Sequence, residues 1–115
     1  MIFHEAFVEE FAGFPRDAQT ALLAKARLLE QFGPQLGRPH VDTLKDSKHA
    51  NMKELRFDAA NGAWRAAFAF DTLSQAVVLV PGDKSGGSQK RFYRKLIAAA
   101  DERFDAHLAQ LKKRT

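Results

Sequence analysis

Apolar residues recur along this chain in two different rhythms. Phe3, Phe7, Phe11 and Phe14 fall at helical spacing, although the first few residues could also pair as a strand. Pro15 interrupts that stripe, and a second helix restarts near Arg16 with the proline at its entry. Ala18, Leu22, Ala26, Leu29 and Phe32, with Leu23 beside them, form its apolar face. Gly33-Pro34 ends it, because glycine closes a helix and proline cannot continue one. The first third therefore predicts two helices joined at a proline, preceded by a short strand.

Residues 35–51 are polar and irregular, and so predict a long loop of the kind that carries function. They supply Arg38, His40, Lys45, Lys48 and His49. The rhythm then becomes alternating. Residues 52–58 and 63–71 flank Asn61-Gly62, a strong hairpin signal. With those two residues as the turn, Asp58 would face Arg65, Phe57 would face Ala66 and Leu55 would face Phe68. One face then carries Leu55, Phe57, Trp64, Ala66, Phe68 and Phe70, and needs the N-terminal helices as cover. The other carries Glu54, Arg56, Asp58, Arg65, Ala67 and Ala69, and is expected to stay open. Residues 76–81, AVVLVP, are apolar on both faces and predict a central strand. After the loop GDKSGGS, Ser88 can cap a final helix over 89–112. Tyr93, Ile97, Ala100, Phe104, Leu108 and Leu111 form its inner stripe. The expected fold is α+β: one domain over 1–115, N-terminal helices on a small antiparallel sheet, and a long C-terminal helix.

Composition narrows the setting. The chain has 115 residues, enough to bury one core, and no cysteine, which excludes disulfides and thiolate metal sites. No apolar run reaches the ~20 residues needed to span a membrane, and the first residues lack the basic start of a signal peptide. A cytoplasmic protein is expected. Charge is uneven. Residues 1–51 hold six Lys/Arg and seven Asp/Glu, whereas residues 52–115 hold twelve and seven. A localised basic excess suits a polyanion better than a diffuse one. The start of the last helix adds Lys90, Arg91, Arg94 and Lys95 where the helix dipole disfavours cations, a cost offset if an anion binds there.

Several chemistries find no motif. His4-Glu5 opens like HExxH, but position 8 is Val. The four histidines are scattered, the glycine loop has Ser88 where a phosphate loop needs lysine, and no serine sits in GxSxG. Neither metal nor cofactor is expected. What remains is a set of cations: Lys53, Arg56 and Arg65 on the hairpin, Lys84 in the loop, and Arg91 and Arg94 on the helix. Arginine forks suit phosphate. Metal-free RNA cleavage needs a base for the 2′-hydroxyl, cations for the phosphorane and an acid for the leaving 5′-oxygen. Tyr93, His49 and Lys53 are the proton-transfer candidates. Each has a second reading. Arg65 can pair with Asp58 across the hairpin, Tyr93 can be a core ring, His49 can be merely solvated, and Lys53 shares the parity of Leu55 and can lie toward the core edge.

The runs KELR, WRAAFAFD, GDK and FYRKLIAAAD together resemble the HigB-like, phage-derived branch of the RelE/ParE toxin superfamily, and the resemblance covers most of the chain. It implies a toxin of a type II toxin–antitoxin pair, with a cognate antitoxin of helix-turn-helix type as partner. HigB- and RelE-type toxins cut mRNA in the ribosomal A site, without metal, through 2′-hydroxyl attack. The resemblance places catalytic roles on Arg56, Arg65, Lys84 and Tyr93. RNA binding is expected at Lys53, Lys48, His49, Lys90, Arg91 and Arg94. The superfamily also contains inhibitors of DNA gyrase without nuclease activity, so two alternatives stay open: a gyrase poison, or an inactive relic that only binds RNA or a partner.

Overall fold

The computed structural model describes residues 1–59 and 62–114. Strand β1 (Ile2–Phe3) leads into helices α1 (Glu5–Ala12) and α2 (Arg16–Phe32). Four strands follow, β2 (Val41–Thr43), β3 (Lys53–Ala59), β4 (Gly62–Phe70) and β5 (Ala76–Asp83), and then helix α3 (Gln89–Arg114). They form one sheet in the order β1-β5-β4-β3-β2. Its pairings are antiparallel except that β1 runs parallel to β5.

The N-terminal elements follow the phenylalanine rhythm. His4 caps α1, its Nδ1 accepting from Ala6 N at 3.0 Å. Phe3, Phe7, Phe11 and Phe14 then pack ring against ring in sequence at 5.6, 5.5 and 5.9 Å, and Phe14 continues onto Trp64 at 4.7 Å. Pro15 stands at the entry of α2, and Gly33 closes it in a left-handed conformation with φ 59°. Ala18, Leu22, Ala26 and Leu29 are buried as expected. Leu23 and Phe32, expected on the same stripe, are instead about half exposed. Both lie to the side of the face that meets the sheet.

The hairpin differs from expectation in register but not in faces. Ala59 pairs with Gly62, so Asp58 faces Ala63, Phe57 faces Trp64, and Arg56 faces Arg65. Gly62, expected in the turn, instead opens β4, and the expected turn residue Asn61 lies outside the described residues. The slip is two positions, and side chains alternate with a period of two, so every residue keeps its face. The Asp58–Arg65 pair is therefore not formed. A second correction concerns the loop over 35–51, which contains the edge strand β2 paired to β3. It is too short for alternation to stand out.

Both faces of the sheet are covered. Leu55, Phe57, Trp64, Ala66 and Phe68 pack with Phe7, Leu22 and Leu29 of the N-terminal helices. On the opposite face Ala67, Ala69, Val77, Leu79 and Val80 pack with Leu96, Ile97, Ala100 and Phe104 of α3. A bulge between β4 and β5 turns both Leu79 and Val80 toward α3. The face expected to stay open is thus largely closed, because its alanines are small enough for a helix to lie on them. Only the end bearing Glu54, Arg56 and Arg65, beside the N-terminus of α3, is left for other work.

Candidate active site

At that end a groove of about 910 Å³ runs between α3, β3 and the segment after β2. Its lining carries five cations, Lys45, Arg56, Lys84, Lys90 and Arg94, against three carboxylates, Asp42, Asp46 and Glu54. Asp42 is already held by Arg38 at 3.0 Å, and Glu54 by Arg65. The groove is therefore net cationic and suited to an anion.

Its floor is a group of three, Glu54, Arg65 and Tyr93, joined by one ion-pair contact and one hydrogen bond. Glu54 and Arg65 are both buried, and Arg65 Nε lies 3.2 Å from Glu54 Oε1. The contact has ion-pair distance but not hydrogen-bond geometry, so that N–H has no acceptor among the described residues. Arg65 Nη1 donates to the Trp64 carbonyl at 2.8 Å. The Tyr93 hydroxyl donates to Glu54 Oε1 at 2.8 Å. Burial, then this bond to Glu54, raises the Tyr93 pKa above its ordinary value. A phenol held as a donor in this way is a poor base. Lys84 Nζ lies 5.5 Å from the centre of the Tyr93 ring. Burial lowers the Lys84 pKa first, and neighbouring Arg65 and Arg56 lower it further against the pull of Glu54. Arg56 lines the groove and makes no side-chain hydrogen bond or ion pair among the described residues.

The loop leading into α3 turns through Gly86 and Gly87, both with positive φ (77° and 76°). Ser88 Oγ then caps the helix, accepting from Arg91 N at 3.3 Å. This geometry sets Lys90, Tyr93 and Arg94 along one wall of the groove.

The structure thus gathers Arg56, Lys84, Tyr93, Lys90 and Arg94, with Arg65 behind them. It does not gather the others. Lys53 shares the face of Leu55, so it is turned away from the groove, as its parity allowed. Arg91 is exposed outside the lining. Lys48 and His49 are bound to α3 by Asp105, His49 Nε2 at 2.8 Å from its Oδ1. His49 also packs edge-on against Phe104 at 4.9 Å. These two residues hold the loop to the helix and stand clear of the groove. Sequence reasoning missed Glu54, although its parity with Arg56 and Arg65 was visible. It also missed Thr43 and Asp46, which only the unrecognised β2 brings to the groove. Among the described residues, no group of three or more His, Cys, Asp or Glu is placed to hold a metal ion. No helix of the described residues is long and apolar enough to cross a membrane.

The chain belongs to the phage-derived Gp49-like family (DUF891), whose model matches residues 9–105. It is 46% identical over 99 residues to a Mycobacterium tuberculosis (strain ATCC 25618 / H37Rv) protein named "Putative toxin HigB3", covering 86% of this chain and 84% of that one. It is 43% identical over 101 residues to "Putative toxin HigB2" of the same organism, covering 87% of this chain and 50% of the relative. The chain therefore spans half the length of the HigB2 protein. No solved structure matches it significantly.

Proposed function

We propose that this chain is the toxin of a toxin–antitoxin pair, and that its groove cleaves mRNA on the ribosome by attack of a 2′-hydroxyl on the adjacent phosphate. The observation that carries this reading is the Glu54–Arg65–Tyr93 group set in the floor of a groove lined by unpaired cations. The names of the two mycobacterial relatives support the toxin role.

Each part of the reaction has a residue suited to it. Glu54 is a carboxylate on the groove, held in place by Tyr93 and Arg65. It takes the proton from the 2′-hydroxyl as the O2′–P bond forms. Arg56 is free to fork onto the non-bridging oxygens and hold the charge that grows there. The P–O5′ bond breaks, and the leaving oxygen takes a proton from Lys84. A lowered pKa makes Lys84 a stronger acid than an ordinary lysine. The products are a 2′,3′-cyclic phosphate and a 5′-hydroxyl. Lys90 and Arg94 hold neighbouring phosphates. Tyr93 positions Glu54 and does not itself move the proton. A helix-turn-helix antitoxin with an acidic segment that covers this groove is the matching partner.

Primer extension on mRNA from translating ribosomes tests the reading. The purified chain should produce discrete cuts, and Arg56→Ala should abolish most of them while melting as wild type does. Intact mRNA with wild-type protein would refute it, and DNA double-strand breaks in its place would favour gyrase as the target.

A further inference from the structure

We propose that Gly82 and Phe92 form a positioning pair: the absent Cβ of Gly82 lets the Phe92 ring seat on β5, and that seat fixes where Tyr93 and Lys84 stand. The inference rests on the groove being the reactive site.

Gly82 pairs with Arg65 across β4 and β5, beside the floor of the groove. A Cβ on Gly82 would lie 2.7 Å from Phe92 Cε1 and 3.1 Å from Cζ, with Leu96 Cδ1 at 3.8 Å. The requirement is for space and not for an unusual backbone, since Gly82 is not among the glycines with positive φ. Gly33, Gly37, Gly86 and Gly87 have nothing within 4 Å of such a Cβ, so this close approach distinguishes Gly82 from them.

The Phe92 ring could swing away from an added methyl, and the fold would survive that movement. The Tyr93 ring, however, packs against it edge-on at 5.1 Å and 80°, so a shift of one ring is felt by the other. Tyr93 in turn holds Glu54 through its hydroxyl and lies beneath Lys84. Gly82 is two residues before Lys84, so the end of β5 and the residue after it set both sides of the contact. A displacement of the Phe92 ring therefore reaches the group that holds the carboxylate and the ammonium that supplies the proton.

The chain has a single tyrosine, so phenolate absorbance on alkaline titration reports Tyr93 alone. Wild type should titrate above the ordinary value of about 10. In Gly82→Ala the midpoint should move down toward that value, and mRNA cleavage should fall roughly ten- to a hundred-fold, in kcat more than in KM. Gly82→Ala/Phe92→Leu should regain at least half of both losses, because leucine leaves room for the methyl. A folded Gly82→Ala with wild-type titration and cleavage would overturn the proposal, as would a double variant no better than the single one. If Gly82→Ala does not fold, Phe92→Ala, which removes the seated ring altogether, should lower the phenol midpoint, and an unchanged midpoint would overturn it. Should wild type cleave nothing while the titrations shift as stated, the positioning pair stands and the cleavage reading falls.

Discussion

Replacing Arg65 by methionine tests how the groove floor is built. The Arg65 and Glu54 side chains are 6% and 7% exposed, so neither charge has water to fall back on. Removing the guanidinium leaves a buried carboxylate with only the Tyr93 hydroxyl as a side-chain donor among the described residues. Breaking a buried pair in this way costs about 3–5 kcal/mol. The lost bond from Nη1 to the Trp64 carbonyl accounts for roughly 1 kcal/mol of that figure. For a chain of this size the fall in melting temperature should be roughly 12–20 °C. The double variant Glu54→Gln/Arg65→Met removes both charges, and its amide oxygen still accepts from Tyr93. It should recover at least half of the loss, leaving mainly the missing bond to Trp64. Urea denaturation followed by circular dichroism, on wild type, both single variants and the double, gives the coupling energy directly. A single-variant loss below about 1 kcal/mol, or losses that simply add, would show that the pair is not desolvated as its burial implies.

Two further expectations concern pH. Burial is the largest influence on Asp71 and pushes its pKa up, but His107 and the N–H groups of Gln75 and Leu73 together outweigh it and hold the pKa below the ordinary carboxylate value. A depressed folded pKa adds stability that is present above the unfolded value and is lost as pH falls through the folded one. Asp71→Asn should therefore lower the melting temperature at neutral pH and flatten its decline below about pH 4; an acid limb as steep as wild type would count against this. In the proposed cleavage, Lys84 must stay protonated to act as the acid. The rate should fall with rising pH before an ordinary lysine would lose its proton, and Lys84→Arg should carry that alkaline limb upward. An alkaline limb that does not move in Lys84→Arg would remove Lys84 from the role.

Local pattern and tertiary contact contributed differently to this molecule. The phenylalanine stripe, Pro15, Gly33-Pro34 and the Ser88 cap act within a few residues of themselves, and the helices they imply are the ones observed. Strand alternation likewise placed Glu54, Arg56 and Arg65 on one face, because parity survives even a two-residue error in register. Register itself was not legible, since turn preference alone set it in the sequence, whereas pairing along the whole of β3, β4 and β5 sets it in the fold. Nor was the role of the second face. Ala67 and Ala69 are silent as sequence, and only α3 lying on them shows why they are small. The same packing decides which cations work together. Lys48 and His49 read as a basic loop until Asp105, more than 50 residues away, claims them. Glu54 reads as one more surface acid until Arg65 and Tyr93 close over it. A residue's face is set by its neighbours in the chain, but its partners are set by what folds against it, and the groove is made of partners.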